Sequence, residues 1–241
     1  MGNINIRKNR KISVYRVTSL KDLNDVILVH FTNYPLLTSK YSDFSLWAKI
    51  IKKMLMKEHL GKKGFSDILQ IYASINRGVS KQVSRFFPNI VPCGKIKVIL
   101  PSKLDPYWVS GFVAGDGSFV VGIRKKKTDN KTFNLYFNFF ITQYSKDFEL
   151  IKLFIPFFNC GTIIIRFSNK ISRCDYYVQD INSIIKKIIP HFERYPLENI
   201  KELDYLDFKL IMNMIWNKEH LNVNNQIIIS NIIKRMNNKR F

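Results

Sequence analysis

The residues with the clearest chemical potential lie in one string, Trp108-Val109-Ser110-Gly111-Phe112-Val113-Ala114-Gly115-Asp116-Gly117-Ser118-Phe119. Gly111 and Gly115 stand four positions apart, on one face of a helix. Lacking side chains, they let a second helix approach backbone to backbone. Asp116 follows where that helix ends, and Gly117 is suited to the positive φ of a C-cap. The string therefore predicts a carboxylate at the foot of a tight helix pair, where the chain enters a strand. Such a place suits a hard divalent cation, because Mg²⁺ is usually held by one or two carboxylates together with phosphate oxygens and water. Taken by itself, the string also fits an exposed aspartate in an Asp-Gly turn, which is common turn chemistry.

The elements that must position Asp116 are a helix before it and strands after it. Asp105 stands as N-cap with Pro106 in the first helical position, ahead of the apolar stretch Tyr107 to Ala114. Phe119 to Lys126 and Phe133 to Thr142 read as strands, joined by the basic turn Lys127-Thr128-Asp129-Asn130-Lys131. A helix over Phe148 to Phe158, strands over Gly161 to Phe167 and Asp175 to Val178, and further helical stretches complete the order α-β-β-α-β-β-α. Alternation splits these strands into two faces. Ser118, Val120, Gly122, Arg124 and Lys126 share one parity, which Asn134, Tyr136 and Asn138 continue and Arg166, Ser168, Asp175 and Tyr177 extend. Arginine and asparagine are the side chains that read guanine and adenine edges in the major groove, where a two-stranded ribbon fits. At any one position a merely solvated residue has the same look.

The chain also repeats itself. His30-Phe31-x-x-Tyr34-Pro35-Leu36 returns as His191-Phe192-x-x-Tyr195-Pro196-Leu197, and Lys57-Glu58-His59-Leu60 as Lys218-Glu219-His220-Leu221, both at an offset of about 161 residues. In the same register Lys40 meets Lys201, Asp43 meets Asp204, Ile50 meets Ile211 and Asn76 meets Asn237. All four histidines fall at equivalent positions in apolar-periodic segments and read as structural. The first copy, residues 1–80, is read as a strand over Ile12 to Val17 and helices over Leu20 to Val29, Asp43 to Leu55 and Phe65 to Ile75. It lacks everything equivalent to Leu104 through about Lys170, so the counterpart of Asp116 falls about 45 residues before Met1. Residues 81–103, with Pro88, Pro92 and Pro101, read as a linker without helical period, and 104–241 as the complete second copy.

With 241 residues, 46% of them hydrophobic, the chain has material for one large core or two small ones. Lys and Arg number 39 against 18 Asp and Glu, a net charge of +21, which is more than solubility needs and points to a polyanion. No apolar run reaches the ~18–20 residues of a membrane span, Ile6 stands where a myristoylation signal wants Ser or Thr, and no targeting segment is recognisable at the start. Cys93, Cys160 and Cys174, odd in number and without C-x-x-C spacing, argue against a disulfide framework or zinc site.

The Trp108–Phe119 string resembles the signature of the LAGLIDADG homing endonucleases, in the GFVDGEGSF-like form common among organellar intron-encoded members. Phe139-x-Ile141-Thr142-Gln143, the turn Phe157-Phe158-Asn159-Cys160-Gly161, the paired His-Phe-x-x-Tyr-Pro-Leu and Lys-Glu-His-Leu segments and the closing Met236-Asn237 are similar to this family too, so the resemblance runs from about Val14 to Arg240. It implies an α+β fold in which each α-β-β-α-β-β-α half-domain carries a four-stranded antiparallel saddle lying in the DNA major groove, with the halves packed through their motif helices at Gly111 and Gly115. It implies that Asp116 binds Mg²⁺ or another divalent cation, with the Gly115 carbonyl as a further ligand. Gln143 matches the polar residue that orients water near the metal, and Lys40 and Lys201 match basic residues near the active site. Ala114 departs from the acidic residue usual two positions before the metal ligand. The absence of a second motif departs further.

These observations lead to the expectation of a site-specific endonuclease acting on double-stranded DNA with a long asymmetric target, N-terminally truncated and inactive alone unless a separate or upstream-encoded half completes it. The alternatives are an RNA-binding maturase that assists group I intron splicing, with intron RNA as partner, and a degenerate DNA-binding remnant. No membrane partner is expected. An Ile-, Asn- and Lys-rich composition typical of AT-rich genomes, with the family resemblance, points to the mitochondrion.

Overall fold

A computed structural model describes residues 2–7, 12–76, 78–125, 133–167, 172–237 and 240. The chain divides into two units, Met1–Leu100 and Pro101–Phe241.

The first unit opens with strands β1 (Asn3–Arg7) and β2 (Ile12–Arg16), paired antiparallel with Asn3 opposite Arg16 and Arg7 opposite Ile12. Ser19 caps the next helical segment, accepting from the Asp22 amide at 3.3 Å. That segment widens to π geometry over Leu23–Leu28 and returns to α over Val29–Asn33. Helices Lys40–Leu55 and Lys62–Ser74 pack through Leu46, Ile51 and Ile71, with Lys53 tying them by ion pairs to Glu58 (2.7 Å) and Asp67 (3.1 Å). The stretch read as a linker opens with a short helix, Lys81–Phe86, capped by Ser80. Six residues, fewer than two turns, are too few for an apolar period to show in sequence. The stretch then lies along this unit, with Cys93 O accepting from Ser74 Oγ (2.8 Å) and Ile96 N donating to Ser42 Oγ (3.1 Å).

The second unit has the helix Pro106–Asp116, with Asp105 accepting from the Trp108 amide at 2.9 Å, as the cap and proline predict. Four strands follow, β3 (Gly117–Lys125), β4 (Phe133–Tyr144), β5 (Thr162–Arg166) and β6 (Arg173–Val178), in antiparallel order β3-β4-β6-β5. The alternation resolves as expected. Phe119, Phe139, Ile141, Cys174 and Tyr176 are fully buried on one face, where the rings of Phe119 and Phe139 stack at 5.1 Å and meet Phe192 and Phe208 from the helices behind. Each such phenylalanine contributes about 2–3 kcal/mol. The single helix expected over 148–158 is two short ones, Phe148–Lys152 and Phe154–Phe158, parted at Leu153.

The repeat holds in three dimensions. Helix Lys40–Leu55 corresponds to Lys201–Trp216, the 3-10 turn Glu58–Leu60 to Glu219–Leu221, and Lys62–Ser74 to Val223–Arg235. Lys57 and Lys218 (φ 58° and 62°) share one left-handed turn, and Asn76 and Asn237 (φ 53° and 58°) another. One expectation needs correction. β1 is the counterpart of β5, so the first copy holds a whole hairpin and not β2 alone. The common offset does not carry to this strand: Arg7 faces Ile12 whereas Arg166 faces Arg173, and the second connection is longer by two residues. No described helix is long and apolar enough to cross a membrane.

Candidate active site

The last turn of an α-helix leaves carbonyls without intrahelical partners, and these orphan groups organise the site. At the end of Pro106–Asp116, Val113 O accepts from the Gly117 amide, Ala114 O from Asn199 Nδ2 (2.9 Å) and Gly115 O from Lys201 Nζ (3.3 Å). Lys201 Nζ also donates to Gly117 O at 2.5 Å. A cation at a helix C-terminus complements the helix dipole. Partial burial pulls the Lys201 ammonium below the ordinary lysine value, against the opposing pull of the Asp116 and Asp204 carboxylates.

Asp116 is the helix's final residue and is exposed. Its Oδ2 accepts from Gln143 Nε2 at 2.5 Å, across the β3-β4 pairing in which Gly117 faces Ile141. Gly117 has extended torsions (φ −81°, ψ 164°), which corrects the expected positive φ. It must be glycine because a Cβ there would lie 2.5 Å from Val113 Cγ1. Asp116, Gln143, Lys201, Ser118 and Thr142 line a cavity of about 550 Å³ that Arg173 also borders.

Three of the four residues read as catalytic thus converge. Lys40, in the other unit, has Nζ 2.9 Å from Asn76 Oδ1 and 3.5 Å from Asp43 Oδ2. The glycine face expected to receive a second helix has room: a Cβ added at Gly111 or Gly115 would meet nothing within 4 Å.

On the polar sheet face Val120 opposes Asn138, Gly122 opposes Tyr136 and Arg124 opposes Asn134. The Arg124 guanidinium lies 4.6 Å over the Tyr136 ring, and Tyr177 Oη donates to Asn138 Oδ1 at 2.5 Å. Arg166 Nη2 pairs with Asp175 Oδ2 at 2.6 Å, while Asp175 Oδ1 accepts from Thr142 Oγ1 at 2.6 Å. Asp175 is on the expected face but is buried beneath its partners rather than presented to solvent. Lys126 and Ser168 lie outside the described residues.

Sequence reasoning missed Arg173, Asn199 and the role of Asn237, whose Nδ2 donates to Phe119 O at 3.2 Å. Arg173 opens the strand Arg173–Val178, two residues before the expected start, and shares parity with Asp175. The asparagines act across 85 and 118 positions, and no local spacing signals that.

The pattern of one known family, described as LAGLIDADG endonuclease, matches residues 1–51 and 109–212, on both copies of the repeat. The chain belongs to the LAGLIDADG endonuclease family. It is 34% identical to probable intron-encoded endonuclease 2 of Neurospora crassa over 92% of its own length and 49% of that protein's. It thus spans about half the length of this curated relative. The LAGLIDADG homing endonuclease I-SmaMI bound to cleaved DNA superimposes with a TM-score of 0.93 at 33% identity, covering 100% of this chain and 79% of that one. I-SmaMI bound to uncleaved DNA target in the presence of calcium ions superimposes at 0.91, also at 33% identity, covering 98% and 79%. The mixed helix and sheet architecture, with its four-stranded antiparallel sheet, is that of LAGLIDADG homing endonucleases.

Asp116 and the Gly115 carbonyl offer oxygen alone as metal ligands, and no group of three or more His, Cys, Asp or Glu that could hold a metal ion is present among the described residues. That set does not suit zinc. It fits a hard cation completed by phosphate oxygens and water.

Proposed function

We propose that this LAGLIDADG chain binds double-stranded DNA in the groove of its β3-β4-β6-β5 sheet and contributes one metal-dependent phosphodiester-hydrolysing site. The observation that carries the reading is the convergence of Asp116, Gln143 and Lys201 on one cavity beside the polar sheet face. Solved relatives with the same fold hold DNA, one of them with calcium ions, and the net charge of +21 favours a phosphate backbone.

In this reading Arg124, Asn134, Tyr136, Asn138, Arg166 and Tyr177, with Ser118 and Val120, meet the groove, and a phosphate enters the cavity. A divalent cation held by Asp116 and the Gly115 carbonyl would supply Lewis acidity toward a phosphate oxygen and lower the pKa of its bound water. Gln143 holds the Asp116 carboxylate by its amide and presents a polar group to water. Lys201 places positive charge where negative charge grows during phosphodiester cleavage. Residues 1–100 contain no second Gly-Asp-Gly string, so cutting both strands takes a second motif from a separate or upstream-encoded half. The chain alone nicks one strand at most. A mitochondrial site of action belongs to the same reading.

Incubating the protein with Mg²⁺ and a duplex spanning its intron-insertion site tests this. The expected result is specific binding without double-strand cleavage, and Asp116→Asn abolishes any nicking while leaving affinity within about threefold. Efficient double-strand cutting by the 241 residues would overturn the single-site reading. Tight binding of intron RNA with negligible duplex binding in the same salt would favour a maturase instead.

A further inference from the structure

The β5-β6 register sets two arginines opposite each other, Arg166 and Arg173. Like charges in directly opposed positions repel, and the chain separates them chemically. Asp175, two residues along β6 on the same face and with its side chain 6% exposed, binds Arg166 through Oδ2. Its other oxygen is taken by Thr142. Arg166 is thereby neutralised and fixed, and both Asp175 oxygens are engaged away from Arg173.

Arg173 is exposed and borders the Asp116 cavity, and among the described residues its guanidinium has no ion pair or hydrogen bond. The cavity's other cation is committed: Lys201 Nζ donates to two backbone carbonyls, which leaves one of its three protons. A phosphate drawn toward Asp116 needs charge neutralisation, and Arg173 offers five uncommitted donors in a fork that matches phosphate oxygens.

We propose that Arg173 is the residue that grips the DNA phosphate entering the Asp116 cavity. Asp175 is the positioning residue, sorting the two arginines so that Arg166 belongs to the sheet face and Arg173 to the cavity. The assignment rests on the DNA-cleaving reading above and adds a phosphate ligand to it.

The test measures affinity, so it does not depend on cutting. Duplexes of the insertion site carrying a single neutral methylphosphonate, scanned across the central positions, are titrated in Ca²⁺ against wild type, Arg173→Ala, Arg173→Lys and Arg166→Ala. At one position the neutral linkage should weaken wild-type binding roughly tenfold, as loss of a charge-assisted contact does. Arg173→Ala should be nearly indifferent there, Arg173→Lys intermediate, and Arg166→Ala as sensitive as wild type. The proposal is overturned if Arg173→Ala keeps the wild-type loss at every sensitive phosphate, or if wild type binds its site specifically yet no central phosphate matters. Failure of wild type to prefer the duplex at all would remove the DNA reading and this assignment with it.

Discussion

His191 sits where charge is costly. Its ring centroid is 4.8–5.3 Å from those of Phe157, Phe158 and Phe192, its Nε2 is 3.2 Å from Ser110 Oγ, and burial pulls its pKa down to about 4. The unfolded chain binds a proton near pH 6.5 where the folded chain does not, so stability falls as pH drops from 6.5 to 4. The loss is on the order of 1–2 kcal/mol after allowing for partial exposure. The urea midpoint should decline through that window, and His191→Gln should flatten the decline. Asp207 acts at lower pH. Burial pushes its carboxyl up, but hydrogen bonds and ion pairs from Arg235 (2.6 Å) and Arg240 (2.7 Å) outweigh this and hold it below the ordinary carboxylate value. Its contribution is full above pH 3.8 and disappears as pH falls through the lowered value. Asp207→Ala removes one of the two carboxylates that hold Arg240, leaving it Asp204 at 2.8 Å, and should cost about 1.5–3 kcal/mol in urea unfolding at pH 7. The structural role of His191 was legible from the repeat, whereas the ion-pair cluster was not, because Arg235 and Arg240 reach Asp204 and Asp207 across 28 to 36 positions and no local spacing signals that.

The motif helix shows which element-scale features a sequence carries. Its start was legible from Asp105 and Pro106, since caps and fixed φ are local physics. Its end was legible in place but not in mechanism, because Gly117 is required by the approach of Val113 and not by torsion. Two expectations follow for stability. Gly117→Ala, forced against Val113, should lose about 1–3 kcal/mol and displace Asp116. Gly111→Ala and Gly115→Ala, pointing into open space, should hold or raise the melting temperature, since alanine favours helix by up to ~1 kcal/mol. Thermal denaturation of the three variants separates packing inside this chain from a glycine face kept for another helix. Equal losses at all three would contradict the open face. The sheet faces were legible because a period of two exposes the core. β1 was not, for its five residues are all exposed and give no buried face to find.

Across the whole molecule, the two copies answer the same need differently. In the second unit Lys201 and Asn237 donate to carbonyls of Gly115, Gly117 and Phe119, at the junction of motif helix and first strand. In the first, their counterparts Lys40 and Asn76 bond to each other. β6 is flanked by β4 and β5, whereas β2 pairs with β1 alone among the described strands. Tyr176 is fully buried, while its counterpart Tyr15 is 57% exposed. The groups that hold the motif helix and first hairpin in the second unit thus have counterparts in the first with other partners, which the proposed single-site reading puts to an experimental test. Fusing a copy of residues 104–161 ahead of Asn3 should extend the β1-β2 sheet to four strands. Amides of Ile12–Arg16 on the open edge should then gain at least ~100-fold protection from hydrogen exchange. Double-strand cleavage should appear, and mutating the added aspartate should reduce it to nicking. Unchanged exchange in β2 would show that the first unit is closed as it stands.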